Sequence, residues 1–214
     1  MVSLNPENMV IAQDDKEYRK ILSEGDIQLC DGVGVALGGS ILSIDVGRRI
    51  TGADLLERVV QMGDELGLRI MLLGAGTNVA DELAVCYQKK YPQLSIKGLQ
   101  GIKDISTPTK AEEDAIFAIV SYHKPQIICA AFGSPWQEKW FWAHRDQLQG
   151  VVCIGVGGGF DFALGRVSRA PTVIRSLGFE WLYRLIREPW RYKRQLRLIR
   201  FMYLVMKQKI LGYV

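Results

Sequence analysis

Clustered metal ligands are missing from this chain. Its four cysteines (Cys30, Cys86, Cys129, Cys153) contain no CxxC pair, and its two histidines (His123, His144) lie far from most of them. Zinc sites and disulfide frameworks are built from closely spaced ligands, so the pattern argues against both. Cys30, Cys129 and Cys153 sit in apolar, strand-like runs and read as buried free thiols. Long apolar segments are missing too. FMYLVM, near the C-terminus, has six residues, where a bilayer-crossing helix needs about 20. The opening MVSLNPENMV has neither a basic start nor an apolar stretch of signal-peptide length, so the protein is expected in the cytoplasm. Neither the P-loop pattern GxxxxGK[ST] nor the hydrolase elbow GxSxG occurs. D-x-D is absent as well, the acidic pair with which many nucleotide-sugar transferases hold a divalent metal on the donor diphosphate.

What is present fits an ordinary globular chain of 214 residues, 48% hydrophobic and 23% charged, enough for one good core and an appendage. Charge is unevenly spread. From Arg166 onward there are 12 Lys/Arg against two acids, Glu180 and Glu188, whereas the first 165 residues hold 15 basic groups and 21 acids. A basic tail on an acidic body implies an anionic partner: phosphate, lipid surface or nucleic acid. No nucleic-acid-binding motif accompanies the charge, so nucleic acid is not expected.

Periodicity predicts a helix over 6–23, a short strand IQLC ending at Asp31, and then alternating helices and strands as far as VVCIGVGGGFD. The alternation predicts an α/β fold: a Rossmann-like parallel sheet with helices on both faces. LLGAG, AAFGSP and GVGGGFD run into glycine at their carboxyl ends, the edge where open parallel sheets bind ligands. The tail after about residue 168 reads as a helix, a break near Pro189 and a second long helix, with aromatic and basic residues intermixed. The expected organisation is a core over 1–168 that binds the ligand and a basic helical appendage over 169–214. That appendage either caps the sheet with its basic groups merely solvated, or lies on an anionic membrane surface.

The stretch LCDGVGVALGGS (29–40) poses the main chemical choice. Gly32, Gly34 and Gly38 offer a phosphate cradle, yet Asp31 opens the turn and a carboxylate repels phosphate. The match to GxGxxG is weak here and in GAGTNVAD, which leaves an NAD(P)-binding oxidoreductase as the lesser reading. Phosphate charge would then fall to arginines, and Arg184, Arg187, Arg191 and Arg194 recur at helical spacing across Pro189.

SLNPE, DGVGV, RITGADLLE, GSPWQEKW, IGVGGGFDFALGRVSRAP and EWLYRLIREPWR occur in that order. On these motifs the chain resembles the WecG/TagA/CpsF family of bacterial glycosyltransferases (glycosyltransferase family 26) over nearly its whole length. The resemblance implies inverting, metal-independent transfer of a hexose-type sugar, ManNAc or glucose-like, from a UDP donor. The implied acceptor is a polyprenyl-diphosphate-linked sugar at the inner face of the cell membrane, in cell-surface polysaccharide or teichoic acid synthesis. It implies no cofactor. Asp31 matches the family's proposed catalytic base. Ser3 stands where members commonly have threonine, and keeps the hydroxyl. Asn5, Arg49 and Gln137 match polar positions of the pocket that binds donor and acceptor. Arg184, Arg191 and Arg194 match appendage arginines thought to close over the site and hold the departing diphosphate. Members carry a further strand and helix ahead of the NPE motif, so a bare or altered sheet edge is expected here.

Each residue also has a plainer role. Asp31 would serve as N-cap of a helix beginning at Gly32, and Asn5 as cap of the helix from Pro6. Arg49 would pair with Asp54 or Glu57, and Gln137 would face water in a first helical turn. Trp136, Trp140 and Trp142 read as packing rather than an acceptor platform. A non-catalytic, membrane-associated protein that binds sugar nucleotides is the other alternative, and the sequence leaves monomer or homo-oligomer open.

Overall fold

A computed structural model describes residues 1–176, 178–189 and 192–212. In chain order the elements begin with β1 (Val2–Leu4), α1 (Pro6–Asp14), α2 (Lys16–Glu24), β2 (Gln28–Cys30) and α3 (Val33–Leu42). Next come α4 (Gly52–Leu66), β3 (Arg69–Gly74), α5 (Val79–Lys90), β4 (Ser95–Leu99), α6 (Lys110–His123), β5 (Ile127–Ala131) and α7 (Trp136–Ala143). β6 (Val152–Gly155), α8 (Gly159–Ala163), α9 (Thr172–Ser176), α10 (Glu180–Arg187) and α11 (Tyr192–Leu211) complete the series. The residues group into two compact units. The first comprises Met1–Val2, Gly25–Ile27 and Gly52–Val167; the second comprises Ser3–Glu24, Gln28–Thr51 and the chain from Ser168 on.

The first unit carries the Rossmann-like layer. Its four-stranded sheet runs β4-β3-β5-β6, every pair parallel. Side chains alternate across the pleat and so build two cores. Ile70, Leu72, Ile127, Cys129 and Ile154 pack with Leu56 and Val60 of α4, Leu83 and Tyr87 of α5 and Phe160 of α8. Met71, Leu73, Ile128 and Ala130 pack on the other side with Ile116 of α6, Trp140 of α7 and Leu148. A sheet covered on both faces needs apolar residues at every strand position, which is why β3 and β5 read as unbroken apolar runs. Burial pushes the Cys129 and Cys153 thiols up to about 12. Gly98 of β4 is glycine for a steric reason: a Cβ there would lie 2.2 Å from the Ala80 carbonyl oxygen of α5. The chain passes from β3 to β4 on one side of the sheet and then to β5 on β3's other side. Strand order therefore reverses between β3 and β5, and the crevice at such a reversal opens at the carboxyl ends.

The second unit contains α1, α2, α3 and the C-terminal helices; β1 and β2 pair as a two-stranded sheet. The single helix predicted over 6–23 is two. Asp15 leaves helical geometry (φ −118°, ψ 102°), and its carboxylate accepts from the Tyr18 N–H at 2.9 Å, capping α2. Arg19 folds back and donates to the Ala12 and Gln13 carbonyls at 2.8 and 2.9 Å, satisfying acceptors that the end of α1 leaves open. In the tail, α10 and α11 flank Pro189, and α9 precedes them. Phe201 and Val205 of α11 are buried with Val10, Cys30 and Val35. Tyr192, Leu196, Ile199, Tyr203, Met206 and Ile210, on the same helix, are exposed at alternating spacings of four and three. Among the described residues no helix is long and apolar enough to cross a membrane.

Candidate active site

β2 ends at Cys30, and the chain turns through Asp31 and Gly32 into α3. Gly32 takes φ +136°, a region that a side chain disfavours. Two backbone hydrogen bonds assemble the surroundings of this turn. The Asp31 N–H donates to the Leu4 carbonyl at 2.8 Å, and the Ile50 N–H donates to the Cys30 carbonyl at 2.9 Å. Ser3 and Asn5, which flank Leu4, and Arg49, which precedes Ile50, are thereby gathered at one strand end. The Cys30 thiol registers both charges. Burial pushes its pKa up, the Asp31 carboxylate adds to the rise, and the Arg49 guanidinium opposes it.

The plainer roles divide. The N-cap of α3 is Gly32, not Asp31. Asn5 does cap α1, its side-chain oxygen accepting from the Asn8 N–H at 2.9 Å. Asn8 is buried and donates its amide to the Ser3 carbonyl at 2.9 Å, so the cap also fixes Ser3. Arg49 faces Glu180 at 3.9 Å rather than Asp54 or Glu57. The glycines after Asp31 are occupied by protein. A Cβ on Gly34 would come 2.5 Å from Pro6 Cγ and 3.1 Å from Leu198 Cδ1, and one on Gly38 would come 3.1 Å from the Phe201 ring. Their smallness lets α1 and α11 approach α3, which argues against the phosphate cradle.

The arginines are held by acids. Arg184 lies 3.7 Å from Glu188, one turn along. Arg194 and Arg197 of α11 each contact one oxygen of the Glu7 carboxylate. Arg200 grips Asp14 with two bonds of 2.5 and 2.7 Å, and the hydrogen bond from Arg200 is the main reason the Asp14 carboxyl is held below its usual range. Arg191 lies outside the described residues. Sequence reasoning missed Glu7 and Arg197, because nothing local links positions so far apart.

Gln137 belongs to the first unit and does not face water: it is 2% exposed. Its amide donates to Glu138 Oε1 at 2.8 Å and to Ser134 Oγ at 3.3 Å, while its oxygen accepts from the Gly157 N–H at 3.3 Å. Gln137 therefore fastens the loop after β6 to the loop after β5. Glu138, 4% exposed, also accepts from Ser134 Oγ at 3.0 Å; its burial escaped the sequence reading because a charged first-turn residue is normally solvated. Beside this edge, a hollow of about 210 Å³ is lined by Ala75, Gly76, Ile102, Lys103, Ile105, Ala131 and Phe132, at the carboxyl ends of β3, β4 and β5. Trp140 is buried and stacks on Phe117 with ring centroids 6.0 Å apart, as a core residue does. Among the described residues, no three His, Cys, Asp or Glu side chains converge on a point that would hold a metal ion.

Comparison with known proteins bears on this geometry. The model of the glycosyl transferase WecG/TagA/CpsF family matches residues 1–213. An N-acetylglucosaminyldiphosphoundecaprenol N-acetyl-beta-D-mannosaminyltransferase of Bacillus subtilis (strain 168) is 31% identical over 209 residues, covering 97% of this chain and 78% of that protein. The enzyme of the same name from Staphylococcus aureus (strain MW2) is 28% identical over 209 residues, covering 98% of this chain and 80% of its own.

Proposed function

The chain belongs to the WecG/TagA/CpsF family of glycosyl transferases, and on that premise we propose that it moves an N-acetylmannosamine- or glucose-like sugar from a UDP donor to a polyprenyl-diphosphate-linked sugar. The names of the two relatives favour N-acetylmannosamine as the sugar and N-acetylglucosaminyl-diphosphoundecaprenol as the acceptor. One structural observation supports the mechanism: Asp31 follows a strand end that backbone hydrogen bonds tie to the segments carrying Ser3, Asn5 and Arg49.

In this reading the acceptor hydroxyl attacks the anomeric carbon as the bond from that carbon to the UDP oxygen breaks, inverting the centre. Asp31 takes the hydroxyl proton, a role that requires an approach of about 2.6–3.2 Å in the working complex. Ser3 and Asn5 orient the sugar by hydrogen bonding. The charge that grows on the departing UDP is met by Arg184, Arg191 and Arg194, so that guanidinium groups do the work a divalent metal does elsewhere. Gln137 ties together the loops at the carboxyl edge of the sheet, and the family resemblance gives it a place in the pocket for donor and acceptor.

The tail serves as the docking surface. The apolar stripe of α11 is exposed and its helix carries Arg194, Arg197, Arg200, Lys207 and Lys209, the combination that settles on an anionic lipid surface. A peripheral position on the inner membrane face would bring the enzyme to its lipid-linked acceptor.

The decisive experiment is Asp31→Asn, assayed with UDP-N-acetylmannosamine and a short-chain prenyl-diphosphate acceptor. Transfer is expected to fall by roughly 10²–10⁴-fold while UDP still binds. Near-wild-type transfer would remove Asp31 from the mechanism. In the same assay EDTA is expected to leave the rate unchanged, and a strict need for Mg²⁺ or Mn²⁺ would overturn the arginine account.

A further inference from the structure

Glu7 occupies the first turn of α1, two residues beyond the Asn5 cap. Its carboxylate bridges two guanidiniums, Oε2 contacting Arg194 Nη2 and Oε1 contacting Arg197 Nη1. Arginines three apart on a helix project from one face about 5–6 Å apart and repel each other. A carboxylate set between them removes that repulsion and fixes both planes. Burial separates the acid from its partners: the Glu7 side chain is 17% exposed, the Arg194 and Arg197 side chains 45% and 44%. Glu7 thus lies deeper than the two guanidiniums it bridges.

The location matters as much as the pairing. Pro6, next in the chain to Glu7, packs against Gly34, and Leu198, next to Arg197, approaches the same glycine. A Cβ on Gly32 would meet Pro6 and Asn5. These contacts pack α1 and α11 against the first turn of α3, which follows Asp31. Further along the same two helices, Asp14 and Arg200 form a second ionic tie, both partners about half exposed and at the far end of α1 from that turn. This second tie is a built-in control: it links α1 to α11 without using Glu7, Arg194 or Arg197.

We infer that Glu7 is a positioning residue for the donor diphosphate, holding Arg194 and Arg197 side by side, and that Arg197 is a further diphosphate ligand. The inference rests on the donor reading above, in which Arg194 serves the diphosphate. Two guanidiniums in fixed orientation can each present paired N–H groups to a diphosphate, and fixing them beforehand lowers the entropy lost on binding.

The test measures UDP binding by titration calorimetry and uridine binding by ligand-observed NMR for the wild type and for Glu7→Gln, Arg197→Gln, Arg194→Gln and Asp14→Asn. Glu7→Gln and Arg197→Gln are expected to weaken UDP binding about tenfold, raise KM for the UDP-sugar more than they lower kcat, and leave uridine binding and Tm unchanged. Asp14→Asn should leave both ligands unaffected. The inference falls if Glu7→Gln and Arg197→Gln bind UDP as the wild type does. It falls equally if UDP and uridine weaken together, or if Asp14→Asn weakens UDP as much as Glu7→Gln, since Glu7 would then be only a tether. Should Glu7→Gln fail to fold, the half-exposed Arg197 decides through Arg197→Gln. A wild-type protein that does not bind UDP, or an Arg194→Gln variant that binds it normally, would overturn the donor reading itself and this inference with it.

Discussion

Each of the two units of the chain is held together internally by different physics. In the first, strands β3 and β5 are buried along almost their whole length, and polar groups such as Gln137 and Glu138 are buried and hydrogen-bonded to one another. In the second, acids of α1 meet partly exposed arginines of α11 in ion pairs between residues more than 180 positions apart. Apolar burial scales with area removed from water and tolerates little change in shape. Exposed ion pairs contribute little stability and weaken with salt. The difference suggests a division of labour. The first unit is fixed by shape, and the second carries its ionic ties close to the solvent.

Matched glycine substitutions test this contrast with the largest effect. Gly98→Ala forces a Cβ to within 2.2 Å of the Ala80 carbonyl oxygen and 2.5 Å of the Asp81 nitrogen, backbone atoms of a packed helix that cannot step aside. A loss of about 3 kcal/mol is expected, seen as a large drop in Tm. Gly34→Ala meets side-chain atoms instead, Pro6 Cγ and Leu198 Cδ1. Separation of α1 and α11 from α3 can relieve that contact, so Tm should fall less while transfer falls more. If both substitutions lower Tm alike and spare turnover alike, the contrast between the units is wrong.

An effect of intermediate size is expected on the exposed face of α11. Ile199 and Tyr203 lie on the apolar stripe and are exposed, so Ile199→Glu with Tyr203→Glu removes apolar contact and adds negative charge without disturbing a core. Sedimentation with liposomes containing anionic lipid should show binding reduced by tenfold or more, each charge near such a surface counting for about 1 kcal/mol. Tm should hold. Unchanged sedimentation would return α11 to a cap with solvated charges.

How much of this was legible in sequence follows the same divide. Runs such as LRIMLLG and QIICAA predicted β3 and β5 because a sheet covered on both faces writes its burial into consecutive residues. Asp31 at a strand end was readable, since a short apolar run stops there. The break at Asp15 was not, because the periodicity over 6–23 continues across a side-chain cap. The roles of Gly34 and Gly38 were equally hidden: a glycine that admits a distant helix looks, in sequence, like a glycine that admits a phosphate. Nor does any local pattern couple Glu7 to Arg197. Ionic partners remote in the chain leave no periodic trace, so the charge imbalance of the tail was visible but its addresses were not.

The smallest expected effect tests the first unit by pH. His123 ends α6, with Nε2 3.1 Å from the Ile70 carbonyl oxygen. Desolvation, reinforced by Arg69 and Lys97, outweighs that carbonyl and holds its pKa below the ordinary 6.5. The folded protein therefore keeps the imidazole neutral at a pH where the unfolded chain has already taken up a proton. This contribution is fully present above 6.5 and is lost as pH falls toward the folded value, because the unfolded state binds more protons across that interval. Carboxylates such as Asp14, Asp104 and Glu112, whose pKa values are lowered from 3.8, 3.8 and 4.5, act only at more acid pH. Tm should decline by a few degrees between about pH 7 and pH 5, and the decline should be shallower in His123→Gln. Parallel profiles for the two proteins would place the acid sensitivity elsewhere and take His123 out of the account of how the sheet layer is held.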